Sequence, residues 1–293
     1  MTISKFINTL TTQLESIYDK NEARSVARVF VSSELKLTGT QLFVCMDDDL
    51  DENTLCRLAE KSNRLINSEP VQYVTGVASF CGLDFKVDCN VLIPRQETEM
   101  LVEIVTRHFD SAQDAKNINI LDIGTGSGCI AVSIKKNMPR ANVFAIDISE
   151  KALEIAKQNA RNNNAEISFA QYDILSEDKF PFNEKFDIIV SNPPYVRNSE
   201  KAQMHKNVTY FEPSLALYVN DSDPLLFYRS ILQFIARHQP NHNTTVLFEI
   251  NEYLGKEMLE LCSSFGYNAK IIKDLSNKSR FIEATSPNAD WKI

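Results

Sequence analysis

Three sets of residues in this 293-residue chain have types and spacings that could do chemistry. The first is glycine. Only 8 Gly occur in the whole chain, against a typical ~7%, yet Gly124, Gly126 and Gly128 fall within five residues. Bare Cα atoms let a bound group approach the backbone, and a helix that follows offers free N–H groups. The second set is Asp147, 19 residues after Gly128, and Asp173. Carboxylates so placed can accept bonds from sugar hydroxyls and from an exocyclic amine of a base. The third is Asn192-Pro193-Pro194-Tyr195. Two adjacent prolines remove two N–H donors and fix two φ angles. The Asn192 side-chain oxygen and the Pro193 carbonyl could accept both N–H bonds of a planar NH₂ group, with Tyr195 packed over it. Such a nitrogen attacks poorly because its lone pair is delocalised, so holding and orienting it is useful chemistry.

These residues must be positioned by strand ends. Ile118 to Ile123 reads as a strand, followed by the Gly-rich turn and a helix to about Met138. Asn142 to Ile146 is a second strand ending at Asp147, and Ser149 to Asn162 a Ser-capped amphipathic helix. Strands over Ile167–Ala170 and Phe186–Ser191 end near Asp173 and at Asn192. A helix of about 224–238, a strand at 244–250, a helix of about 252–265 and strands near 270 and 281 complete the run. Alternation at this spacing gives an α/β fold with a mostly parallel, doubly wound sheet.

Ahead of it, residues 1–70 read as a helical bundle. Ile3, Phe6, Ile7, Leu10, Leu14, Ile17 and Tyr18 share one face, with further helices over Asn21–Ser32 and about 51–66 and a turn at Gly39. This segment carries 8 Lys+Arg against 11 Asp+Glu. Residues 71–93 are rich in β-formers, including Val71, Tyr73 and Val74, and read as a β-hairpin linker broken by Gly76 and Gly82. Pro94 and the acidic residues after it open a helix of about 97–109, leaving 94–293 as the second domain.

Composition excludes several classes. Hydrophobic residues are 43% and charged residues 24%, ordinary for a soluble globular chain. No apolar run reaches the ~18 residues of a membrane span, and Met1 to Leu10 lacks a signal-peptide design. The six Cys form no Cys-x-x-Cys pair, and the chain reads as cytoplasmic with reduced thiols. His238 and His242 read as solvated loop residues, so no metal is expected. The net charge of −8 disfavours direct nucleic-acid binding.

The spacing of the glycines selects the ligand. A dinucleotide fingerprint needs Gly where this chain has Cys129, and no Gly-Lys-Ser/Thr phosphate loop follows. The pattern Asp122-Ile123-Gly124-Thr125-Gly126-Ser127-Gly128 resembles the S-adenosylmethionine loop of class I methyltransferases. That resemblance implies a Rossmann-like methyltransferase fold and this cofactor, with S-adenosylhomocysteine as product. The cofactor set is then Gly124, Thr125, Gly126, Ser127, Gly128, Asp147, Ile148, Asp173, Ile174 and Asn192. The Asn-Pro-Pro-Tyr corner is shared by enzymes that methylate adenine N6, cytosine amines and glutamine amides. The segment Val196–Leu217 after it reads as a substrate-binding loop.

Further blocks narrow the resemblance. They are Pro70-Val71-Gln72-Tyr73-Val74-Thr75-Gly76, Phe80 with Gly82-Leu83 and Phe85, and Val91-Leu92-Ile93-Pro94-Arg95 with Glu97-Thr98-Glu99. Phe211-Glu212-Pro213 with Ala216-Leu217, and Lys273-Asp274-Leu275 with Arg280-Phe281, continue them. Together they resemble the PrmC/HemK family, glutamine methyltransferases of peptide-chain release factors, over roughly 70–285. The resemblance implies action on the Gln of a Gly-Gly-Gln loop, with the helical domain binding the release factor; the chain is expected to be a monomer. Asn192, Pro193, Pro194 and Tyr195 become the catalytic candidates and, with Phe80 and Arg95, the substrate-binding candidates. The chain has Gln96 where the family usually has Pro, and Asn277 where it usually has Gly. An adenine-N6 methyltransferase of DNA or RNA is the alternative, and a non-catalytic cofactor-binding module a third reading.

Overall fold

A computed structural model describes residues 1–107 and 118–286. The first five helices are α1 (Ile3–Leu14), α2 (Lys20–Leu35), α3 (Gly39–Val44), α4 (Glu52–Ile66) and α5 (Val71–Thr75). A hairpin of β1 (Val77–Phe80) and β2 (Leu83–Lys86) precedes α6 (Glu99–Arg107). Then come β3 (Asn119–Ile123), α7 (Cys129–Asn137), β4 (Asn142–Asp147), α8 (Glu150–Asn162), β5 (Ser168–Gln171) and β6 (Ile188–Ser191). The short β7 (Val196–Arg197), α9 (Lys206–Phe211) and β8 (Tyr218–Val219) follow. The chain continues with α10 (Leu226–His238), β9 (Thr245–Glu249), α11 (Gly255–Ser264), β10 (Asn268–Lys273) and β11 (Ser279–Thr285). Contacts divide it into two compact units, Met1–Val77 with Met204–Phe211, and Ala78–Gln203 with Glu212 onward. The end of the helix expected over 97–109 lies outside the described residues.

The helical unit follows its caps. Thr2, Asp19 and Asp51 each accept backbone N–H bonds at the starts of α1, α2 and α4, and Thr38 with Gln41 forms a capping box on α3. Ile3, Phe6, Ile7, Leu10 and Leu14 are all buried on one stripe of α1, whereas Ile17 and Tyr18 lie beyond its end. Gly39 is not a turn but the first residue of α3, whose cap is Thr38. Val71, Tyr73 and Val74 are helical rather than extended, so the hairpin is confined to Val77–Lys86. Pro70 sets the start of α5 and Gly76, at φ 77°, its end; these punctuation signals outrank the β-propensity between them. The hairpin turn places Cys81 and Gly82 at φ 48° and 72°, the positive pair a type I′ turn requires.

In the second unit a seven-stranded sheet has the order β10-β11-β9-β6-β3-β4-β5. The five strands from β9 to β5 are parallel; β11 pairs antiparallel with β9 and β10. Strands β3, β4 and β6 are buried almost end to end, as expected where helices cover both faces. One apolar layer joins α6 and α7 to Phe80 and Phe85 of the hairpin; the other joins α10 and α11 to the opposite face. The chain runs outward from β3 through β4 to β5, then returns to β6 on the other side of β3. That reversal opens a crevice at the carboxyl ends of β3 and β6, where such sheets bind ligands.

Candidate active site

The glycine loop and the Asn corner leave neighbouring strands at the same level, because Ile123 of β3 pairs with Ser191 of β6. The Ser191 hydroxyl donates to the Ile123 carbonyl at 2.7 Å, fastening the two strand ends together. One cleft opens above them. Its walls include Gly124, Gly126, Asp147, Ile148, Asp173, Ile174, Asn192, Pro193 and Pro194. Val91 and Leu92, then Pro213, Leu215 and Ala216, close it further along.

Within the loop the five residues divide their work. Gly124 and Gly126 line the cleft; Thr125, Ser127 and Gly128 do not. Thr125 is buried and its hydroxyl donates to Asp122 Oδ2 at 2.6 Å. Ser127 is buried too, and its carbonyl accepts from Asn159 Nδ2 at 2.9 Å. Gly128 has φ 81°, and a Cβ there would sit 3.1 Å from that of Ala156. It therefore caps α7 while letting α8 pack close. So these three shape the cradle that the glycines present. Burial pushes the Asp122 carboxyl up to about 7, against the pull of the Thr125 hydroxyl.

Asp147 accepts the Gly126 N–H at 2.8 Å on Oδ2 and the Ser149 N–H at 2.9 Å on Oδ1. Burial raises its carboxyl while those N–H groups hold it down. Each oxygen retains a lone pair for a hydroxyl. Asp173 stands on the next strand connection, its Oδ1 accepting from Leu175 N at 2.8 Å. Ile148 and Leu175, 43% and 42% exposed, present apolar edges to the same cleft. A bare backbone cradle, two carboxylates on successive strand ends and apolar flanks fit an adenosine group. The site residues therefore suit S-adenosylmethionine.

At the acceptor end, Asn192 Nδ2 donates to Thr98 Oγ1 at 3.3 Å. Tyr195 does not line the cleft as expected. Its ring packs on the sheet, and its hydroxyl donates to Glu249 Oε1 at 2.9 Å. Burial and the Glu249 charge push that hydroxyl well above its ordinary range. Phe80 and Arg95, the other substrate-binding candidates, both have structural partners. Phe80 is 1% exposed in the core, edge-on to Phe85, and has no face for a substrate. Arg95 Nη2 lies 2.5 Å from Glu212 Oε1. Glu212 Oε2 accepts the Ile93 N–H at 3.1 Å. The Leu-Ile-Pro-Arg and Phe-Glu-Pro blocks are thus one structure, joined across 117 residues.

Sequence reasoning missed Glu249 and Asn159, which are wholly or nearly wholly buried. Asn159 ties the loop to Lys86 through Nδ2 and Oδ1; nothing in its helical spacing marks it. His238 is not a loop residue but ends α10, its ring 4.4 Å from that of Phe234, and His242 pairs with Asp187 at 3.1 Å. Asn277 stands at φ 62°, the conformation that explains a family preference for Gly and the tolerance of Asn.

Residues 96–210 match the family described as Methyltransferase small domain, and residues 6–76 the PrmC N-terminal domain. The chain is 44% identical to the release factor glutamine methyltransferase of Flavobacterium psychrophilum, covering 97% of this chain and 99% of that one. It belongs to the release factor glutamine methyltransferase family. The release factor glutamine methyltransferase of Bacteroides thetaiotaomicron is 39% identical over 92% of this chain and 95% of its own. That of Koribacter versatilis is 33% identical over 99% and 100%. As a release factor glutamine methyltransferase family member the chain is a methyltransferase with S-adenosylmethionine as cofactor. Its fold is the methyltransferase sheet carrying a family-specific helical unit. Among the described residues, no helix is long and apolar enough to cross a membrane.

Proposed function

We propose that this enzyme methylates the side-chain amide nitrogen of the Gln in the Gly-Gly-Gln motif of peptide-chain release factors, supporting translation termination. The observation that carries this reading is the shared cleft. Gly124, Gly126, Asp147 and Asp173 stand at one end and Asn192, Pro193 and Pro194 at the other. Bound at the first end, S-adenosylmethionine supplies a sulfonium methyl whose bonding pair stays on sulfur, leaving S-adenosylhomocysteine.

Asp147 would hold the ribose hydroxyls of the cofactor and Asp173 its adenine amine. Asn192 Oδ1 and the Pro193 carbonyl accept the two N–H bonds of the incoming amide. That turns the nitrogen's π lone pair toward the methyl and lets charge build on nitrogen in the transition state. The amide proton leaves after the C–N bond forms, so no strong base is needed. The acidic helical unit recognises the release factor away from its Gly-Gly-Gln loop. The enzyme works as a cytoplasmic monomer and does not bind nucleic acid directly.

The test is methyl transfer from labelled S-adenosylmethionine to purified release factor. Incorporation that disappears when the acceptor Gln is replaced is the expected result. Methylation of DNA or RNA with the release factor inert, or cofactor binding with no turnover, overturns the reading.

A further inference from the structure

Behind the Asn192 corner runs a chain of hydrogen bonds that ends on a buried carboxylate. Glu249, the last residue of β9, is 1% exposed. Its Oε2 accepts from the Thr98 hydroxyl at 2.7 Å and its Oε1 from the Tyr195 hydroxyl at 2.9 Å. Thr98, itself 2% exposed, accepts from Asn192 Nδ2 at 3.3 Å. Neither Glu249 nor Thr98 lines the cleft. Burial raises the Glu249 carboxyl, while Thr98, Tyr195 and Arg280 favour its charge.

Each bond in this chain has a direction. A carboxylate only accepts. The single Thr98 proton is therefore committed to Glu249, and only its lone pairs remain for Asn192. Asn192 must then turn its NH₂ inward and its Oδ1 toward the cleft. Were Thr98 to donate to Asn192 instead, the amide would turn over. Its NH₂ would then face the N–H groups of the acceptor, donor against donor. The second oxygen of the same carboxylate holds Tyr195, so Glu249 pins the corner from both sides.

We propose that Glu249 and Thr98 are positioning residues that set the polarity of the Asn192 amide and so aim its oxygen at the acceptor nitrogen. This deepens the functional reading above and rests on it, because the acceptor is taken to be an amide NH₂ bonded by Asn192.

The experiment compares Thr98→Val, Thr98→Ser and Glu249→Gln in the full-length enzyme, with release factor and S-adenosylmethionine. Val matches the shape of Thr but has no hydroxyl; Ser keeps the hydroxyl; Gln can offer Thr98 an N–H in place of an oxygen. Thr98→Val and Glu249→Gln are expected to lower kcat roughly tenfold or more, the scale of losing one oriented polar group at a reaction centre. Equilibrium affinity for S-adenosylmethionine should stay within about twofold of wild type, since only the acceptor end is disturbed. Thr98→Ser should recover kcat to within about threefold. Wild-type kcat in Thr98→Val overturns the inference. So does an equal loss in Thr98→Val and Thr98→Ser, or a loss of kcat that follows weakened cofactor binding. A wild-type enzyme inert on release factor overturns the functional reading itself, and this inference with it; an active wild type matched in kcat by Thr98→Val overturns the inference alone.

Discussion

At its cofactor end the cleft wall is mostly backbone. Gly124 and Gly126 present it, and Asp147 is held by main-chain N–H groups of Gly126 and Ser149. At its acceptor end the wall is a side chain, Asn192, oriented by Thr98 and through it by Glu249, 94 and 151 residues distant in sequence steps. The first design suits binding a large invariant molecule by close approach. The second must present one oxygen in one orientation, which takes a directional hydrogen-bond chain and a buried charge. Changes at the first end should therefore appear in cofactor affinity or stability, and changes at the second in turnover.

The largest expected effect is at the acceptor end. Asn192→Ala should lower kcat by about 10³-fold with cofactor affinity unchanged. Parallel loss of cofactor binding would break the comparison, since Asn192 would then serve both ends. At the other end, Asp147→Ala should weaken S-adenosylmethionine binding roughly tenfold to a hundredfold, the worth of a charged hydrogen-bond acceptor, measured by calorimetry. At saturating cofactor, kcat should recover.

Gly128→Ala adds a Cβ 3.1 Å from that of Ala156 at φ 81°. It should destabilise the fold by about 2 kcal/mol, seen as a lower Tm. Weakened cofactor binding should accompany it, because α7 and the loop above it must shift.

The smallest effect, taken per unit of pH, sharpens how the cofactor end is held. Asp122 carries a carboxyl raised to about 7 by burial, so the folded state holds its proton more tightly than the unfolded chain does. Its contribution is therefore full below the unfolded value of 3.8 and declines as pH rises toward 7. Asp122→Asn does not titrate. The difference in Tm, variant minus wild type, should grow with pH between these values and level off above. The slope is at most about 1.4 kcal/mol per pH unit, or roughly 2–4 °C. A difference that does not change with pH would contradict the assigned shift.

The same contrast explains what could be read from the residues alone. Gly124, Gly126, Asp147 and Asp173 declare themselves because each sits at the end of a local strand pattern and lines the cleft there. Asn192 shows itself through the prolines beside it. Glu249 does not, since a lone Glu closing an apolar strand has no local mark of its partners. Arg95 and Glu212 both stand in motif blocks, but their pairing depends on tertiary closure between segments over a hundred residues apart. Phe80 shows the converse. Its motif membership suggested a role in substrate binding, and its packing against Phe85 gives a structural one. The helix at Val71–Thr75 was hidden by β-forming side chains, although Pro70 and Gly76 bracket it.

The most direct measurement is tandem mass spectrometry of the Gly-Gly-Gln tryptic peptide from release factor incubated with this enzyme and S-adenosylmethionine. The account predicts one added methyl, located on the glutamine side-chain amide, with wild-type enzyme and none with Asn192→Ala. A methyl on any other residue, or equal methylation by Asn192→Ala, would contradict it.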